Sequence, residues 1–170
     1  MIADVDWVRI FGNTAVRGSA VIGLVGTTVA PLVLRIALAL PFFRSGLTRW
    51  DSFLSLSIGT QFLFEEQFKL HLFGNLYGFP FPDIVAYLVA LAEIILPILL
   101  LIGFATRLVG LAMLLMTGVI QLVFPDGWVN FHLYWAAIAV AIMALGPGKA
   151  SLDYLISSIY SRSLSKGGTA

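Results

Sequence analysis

The run Ile84 to Ala105, IVAYLVALAEIILPILLLIGFA, carries a single side chain of the charged types, Glu93, near its middle. About 20 helical residues cross the hydrocarbon core of a bilayer, and this run has that length. A soluble helix of the same length keeps a polar face, which is absent here. A carboxylate at mid-membrane is costly unless a protein interior receives it, so Glu93 is a candidate functional residue.

The rest of the chain agrees. Of its 170 residues 59% are hydrophobic and 11% charged, which excludes an ordinary soluble domain and points to a multi-spanning membrane protein. The absence of cysteine excludes disulfides, thiol redox chemistry, iron–sulfur ligation, covalent haem attachment and a lipoprotein anchor. A net charge of +1 gives no reason to expect nucleic acid. The order of Asp4, Asp6, Arg9 and Arg17 is not that of a cleavable signal peptide.

Four spans are expected, at about residues 28–48, 84–103, 108–124 and 129–146. Pro31 suits the first turn of the first span, where its missing N–H is harmless. Before it, Trp7, Arg9 and Phe11 suit the membrane interface. Residues 51–83 cannot be a span, because Glu65, Glu66, Lys69 and His71 fall in their middle; QFLFEEQFKLHLFG reads as an amphipathic surface or re-entrant helix. Thr106-Arg107 and Pro125-Asp126-Gly127 are turns so tight that the last three spans must be antiparallel neighbours. Ser151 can cap a final helix with apolar positions Leu152, Leu155, Ile156, Ile159 and Tyr160, lying on the membrane, and SKGGTA is expected to be a disordered tail.

The expected fold is therefore all-α: a polytopic four-transmembrane-helix bundle with an interfacial loop segment between helices 1 and 2 and a C-terminal amphipathic helix. It divides into an N-terminal segment 1–27, a transmembrane domain 28–146 and a tail 147–170. Arg9, Arg17, Arg107, Lys149, Arg162 and Lys166 fall on one side, which places both termini in the cytoplasm and the 51–83 excursion opposite.

Each span carries a stripe of small or polar residues: Arg35, Ala39 and Gly46; Ala86, Ala90, Glu93 and Pro97; Thr106, Gly110, Met113, Thr117 and Gln121; His132, Ala136, Ala139, Met143 and Gly146. Small residues let helices approach closely in lipid, so these stripes should face one another. Counted from the span ends, Arg35 and Glu93 lie roughly 10 and 15 Å deep, which makes them a candidate ion pair. Such a pair fits a pocket or proton path as well as plain helix packing. His132 falls near Gln121, Asp126 and Trp135. Neither His71 nor His132 has a ligand at i+3 or i+4, so interfacial hydrogen bonds are expected rather than a metal or haem.

Leu34-Arg35-Ile36-Ala37-Leu38-Ala39, Phe42-Phe43-Arg44-Ser45-Gly46, Glu93, Gly103-Phe104-Ala105-Thr106-Arg107-Leu108, His132 and Gly146-Pro147-Gly148-Lys149-Ala150-Ser151-Leu152-Asp153 together resemble the DoxX family over about residues 31–156. The resemblance implies a four-helix protein of a bacterial or archaeal cytoplasmic membrane. The family takes its name from a membrane subunit of a thiosulfate:quinone oxidoreductase, and other members are associated with sulfur-redox or oxidative-stress complexes. It implies here a subunit or accessory of a redox system, with quinone or a similar amphipathic ligand as possible cofactor. Arg35 and Glu93 are the expected catalytic pair, and Arg35, Glu93, Gln121 and His132 the expected binding set; no metal site is expected. A protein partner or a homo-oligomer in the lipid bilayer is expected. The alternative is a scaffold docking through 51–83, or a small-solute or metal-handling transporter.

Overall fold

The computed structural model describes the backbone of residues 4–167, and side chains continuously from 29 to 163. The side-chain expectations for Trp7, Arg9, Phe11, Arg17 and Lys166 fall outside those described residues; of the tail expected to be disordered, 165–167 continue a helix instead and 168–170 fall outside.

The chain is mostly helical, and four stretches are long and apolar enough to cross a bilayer: Val29–Leu47, Pro82–Ile102, Thr106–Val123 and Pro125–Leu145. They belong to helices α1 (Asp4–Leu47), α3 (Pro82–Ile102), α4 (Thr106–Val123) and α5 (Leu133–Leu145), the last preceded by a 3₁₀ turn at Pro125–Gly127 and a π-helical turn at Trp128–His132. α1 packs on α3 and α5, and α4 packs on α5 and α3, so the four helices close a ring. Leu38, Ala39, Phe42, Leu100, Val109, Met113, Ala139 and Ile142 fill its centre.

The small and polar stripes face inward. Ala86, Ala90, Glu93 and Pro97 are buried along α3, and Thr106, Gly110, Met113 and Thr117 along α4. Large apolar side chains point out instead, among them Ile36, Leu40, Leu88, Leu108, Leu115 and Val140. An interior of small and polar groups inside an apolar exterior is the arrangement a lipid solvent selects, because close backbone packing rather than hydrophobicity holds membrane helices together.

Two close approaches set the antiparallel register of α1 and α3. A Cβ at Gly46 would lie 2.8 Å from the Glu93 carbonyl oxygen, and one at Gly103 would overlap the Arg35 guanidinium. Glu93 is thus level with Gly46, and Arg35 is level with the C-terminus of α3.

Two sequence expectations are corrected here. Pro31 lies well inside α1 instead of opening it. Its ring packs where Gly148 leaves room, since a Cβ on Gly148 would lie 2.7 Å from the Pro31 Cβ. The 51–83 excursion is also less helical than its pattern implies. It contains hairpin β1 (Trp50–Ser52) and β2 (Ser55–Leu56), helix α2 (Ile58–Phe62), a π-helical turn at Leu63–Gln67, and hairpin β3 (Lys69–Leu72) and β4 (Asn75–Gly78). The second hairpin turns through Phe73 and Gly74 with φ of +50° and +82°, the doubly positive geometry that matches strand twist. α6 (Leu152–Gly167) follows the ring, with Leu152, Leu155, Ile156, Ile159 and Tyr160 exposed.

Gly46→Ala should destabilise the α1–α3 contact by ~1–3 kcal/mol, the usual cost of overpacking. Gly118→Ala, where a Cβ meets nothing within 4 Å, should leave the melting temperature in detergent unchanged. Equal behaviour of the two variants would contradict the register.

Candidate functional site

Glu93 is held by α3 at a level where α1 ends, and the chain beyond that end supplies its counter-ion. Arg49 Nε donates to Glu93 Oε2 at 3.0 Å and Arg49 Nη2 to Oε1 at 3.3 Å, while Ser45 Oγ donates to Oε1 at 3.2 Å. The two side chains are 14% and 4% exposed, so the bidentate pair is largely out of water. The Arg49 guanidinium also lies 5.6 Å from the Phe64 ring centre and 5.8 Å from that of Phe68, within cation–π range. The Arg49 carbonyl accepts from Ser57 N and Thr60 Oγ1, which ties the pair to the excursion.

The excursion forms a lid. Phe64 is buried and stacks edge-on with Phe68, Phe68 meets Phe124 at the end of α4, and Phe64 reaches Phe79. Trp50 stacks on Tyr87 of α3, and His71 Nδ1 bonds the Leu122 carbonyl of α4 at 3.1 Å. Beneath the lid is a cavity of about 270 Å³. Pro41, Phe42, Ser45 and Arg49 line it from α1 and the turn beyond, Val89 and Glu93 from α3, Met116, Val119 and Ile120 from α4, and His132 and Trp135 from the fourth span.

His132 is buried, and its Nδ1 lies 2.6 Å from Gln121 Oε1. Gln121 in turn donates its Nε2 to the Pro125 carbonyl at 2.9 Å. The His132 ring packs on Trp135 with centres 5.4 Å apart.

The opposite end of the ring is a clasp. Arg35 is completely buried and donates to the carbonyls of Pro31, Leu101 and Ala150. Asp153 accepts from the backbone N–H groups of Ala105 and Thr106, both at 2.8 Å, satisfying the open N-terminus of α4, while its own N–H bonds the Gly103 carbonyl. Burial pushes the Asp153 carboxyl up, but the Thr106 and Ala105 N–H groups and the Arg35 charge outweigh it and hold the group below the usual carboxylate range. The Thr106 hydroxyl is close enough to add to that field, yet among the described residues it is the buried side-chain polar atom left without a hydrogen bond of good geometry.

The expected Arg35–Glu93 pair is therefore not formed. By the register above the two lie about ten helical residues apart along the ring, roughly 15 Å. The depth count went astray because α1 continues past Thr28, so Arg35 sits at the end of the ring rather than inside it. Glu93 and His132 line the cavity, Gln121 stands behind His132, and Arg35 lies in the clasp. Arg49 and Ser45 were missed. Their signal was Gly46 in the stripe of α1: placing that small residue against α3 brings both beside Glu93. Among the described residues no three of His, Asp and Glu gather as metal ligands.

The family model for DoxX matches residues 30–126, more than half of the chain. The chain belongs to the DoxX family. The matched DoxX segment contains Arg35, Arg49, Glu93 and Gln121, and stops short of His132 and Asp153. Outside the family model, an uncharacterized protein of Haemophilus influenzae is 28% identical to this DoxX chain over 157 residues, covering 80% of it and 89% of the relative. No solved structure matches it.

In this DoxX protein, Arg49→Leu or Glu93→Leu alone should lower stability by ~3–5 kcal/mol, because each leaves a buried charge unpaired, and the double variant should lose less than the sum. Arg35→Leu with Glu93→Leu should be additive. Thermal unfolding in detergent across the two cycles checks both.

The Asp153 contribution has a defined sign. A native value below the ordinary 3.8 means that the stabilisation is present above that pH and is lost as pH falls through the native value. Asp153→Asn should therefore flatten the acid limb of a stability–pH profile and change its neutral limb little in shape. An unchanged acid limb would remove Asp153 from the clasp's titration.

Proposed function

We propose that the protein is an integral membrane subunit or accessory of a redox system, and that its lidded cavity receives the ring of a quinone or a similar planar amphipathic ligand. The observation that carries this reading is a buried guanidinium–carboxylate pair facing an aromatic-lined cavity. A cavity of about 270 Å³ exceeds the ~150 Å³ that admits benzene and falls short of the ~300–1,000 Å³ of drug-sized sites. It suits one substituted ring whose tail leaves toward lipid. Val119 offers that exit, since it lines the cavity yet is 42% exposed on the outer face of α4.

In this role Arg49, rather than Arg35, donates hydrogen bonds to a ligand carbonyl oxygen, and Glu93 exchanges the proton that accompanies reduction or oxidation. Arg35 keeps the far end of the ring closed. Arg107, Lys149 and Arg162 at the clasp end support a cytoplasmic location for that end, with the lid on the opposite side of a bacterial or archaeal cytoplasmic membrane. A second reading, a scaffold that docks a protein partner through 51–83, is favoured by the hairpin tips: Phe53 is 92% and Phe73 100% exposed.

Glu93→Gln keeps the side-chain shape and removes the exchangeable proton. It should fold, reach the membrane and lose quinone-linked turnover in a reconstituted system, while His71→Ala keeps most of it. Full activity of Glu93→Gln would end the proton role. Mass spectrometry of small molecules retained after gentle purification separates the readings, because a tight protein partner without a retained ring compound favours the scaffold.

A further inference from the structure

The hydrogen bonds around His132 determine which of its nitrogens carries the proton. The Pro125 carbonyl can only accept, so the Gln121 amide must present its NH₂ there and its oxygen to His132. Reversing the amide would set oxygen against oxygen. Gln121 Oε1 is therefore an acceptor, and His132 Nδ1 must be the N–H donor in their 2.6 Å bond. In the neutral ring, Nε2 then holds a lone pair and no hydrogen.

That lone pair has no partner among the described residues, and Nε2 is not among the fully buried unpaired atoms. His132 is only 4% exposed and Nε2 keeps part of that area; the residue lines the cavity, with the Cε1–Nε2 edge of its ring beside Gly127. The Glu93 oxygens, by contrast, are already occupied by Arg49 and Ser45. The cavity thus has N–H donors on its α1 side and, on the side of the fourth span, the residue that carries the unfilled acceptor. A quinone carbonyl cannot donate to an acceptor, whereas a ring hydroxyl can.

Resting on the cavity reading above, we propose that His132 Nε2 accepts a hydrogen bond from a ring hydroxyl, so that the cavity prefers the hydroquinone, or another phenolic ring, over the quinone. Gln121 is the positioning residue: it holds the tautomer and touches no ligand. The step is a hydrogen bond from O–H to Nε2 and needs no electron transfer. Leaving a buried acceptor without a donor typically costs enough to separate hydroxylated from non-hydroxylated rings by one to two orders of magnitude.

The test uses the full chain in nanodiscs with tetramethyl-1,4-benzoquinone and its hydroquinone, the latter kept reduced under argon. Calorimetry should give at least about tenfold tighter binding of the hydroquinone, and His132→Phe should abolish the difference while still binding the quinone. The chain has 2 histidines, so ¹⁵N-histidine labelling gives two resolvable rings without mutation. The His132 signals should show protonated Nδ1 and bare Nε2, with the Nε2 resonance moving on hydroquinone addition and not on quinone addition. Gln121→Leu should yield a mixture of tautomers. Equal affinity for the two forms, or a preference that survives His132→Phe, overturns the acceptor role and leaves the cavity reading standing. Failure of both rings to bind overturns the cavity reading together with it.

Discussion

A carboxylate halfway along an apolar helix must be met by a cation, and here the cation comes from the chain just past the end of α1. Arg49 lies beyond the last helical turn, and its fork reaches back to both oxygens of Glu93. Much of the architecture serves that reach. Gly46 lets α1 and α3 approach until Ser45 and Arg49 stand beside the carboxylate. Phe64 and Phe68 then cover the guanidinium, and the Ser57 N–H and the Thr60 hydroxyl tie down the carbonyl of the same arginine. An ion pair of this kind is a weak source of net stability, because desolvation offsets its Coulomb energy. Its structural effect is selective: other registers of α1 against α3 leave Glu93 without a donor.

The two ends of the ring solve different problems with similar parts. At the lid end, charge meets charge around a space large enough for a ring compound. At the clasp end, Arg35 spends its donors on main-chain carbonyls and Asp153 accepts from main-chain N–H groups, so the groups left open where α3 ends and α4 begins are closed by side chains from elsewhere. The short motifs Gly103–Arg107 and Gly146–Asp153 meet there, which gives them a structural rather than a chemical reason.

The spans and their inward faces were legible because lipid inverts the usual pattern: small and polar residues recurring at helical spacing inside apolar runs had nowhere to go but the interior. Glu93 stood out for the same reason. Its partner did not, since depth counted from a span's assumed start shifts when the helix continues past that start, as α1 does toward Asp4. Arg49 stands beside Trp50 in a stretch whose composition suits a membrane interface; only the register with α3 reveals its role. The β3–β4 hairpin was hidden by Phe73 at a left-handed turn position, where Asn or Gly is the usual signal.

The clasp also orders events at the ribosome. Arg35 and the Ala150 carbonyl it serves are 115 residues apart, whereas Glu93 follows Arg49 by 44. At ~5–20 residues per second, the stretch between Arg35 and Ala150 takes roughly 6–23 s to synthesise. Throughout that interval the guanidinium lacks its final acceptor, with the Pro31 carbonyl in reach from the start and that of Leu101 only after 66 residues. Glu93, in contrast, enters with its cation already made. The Arg49–Glu93 contact is therefore available long before the Arg35–Ala150 contact.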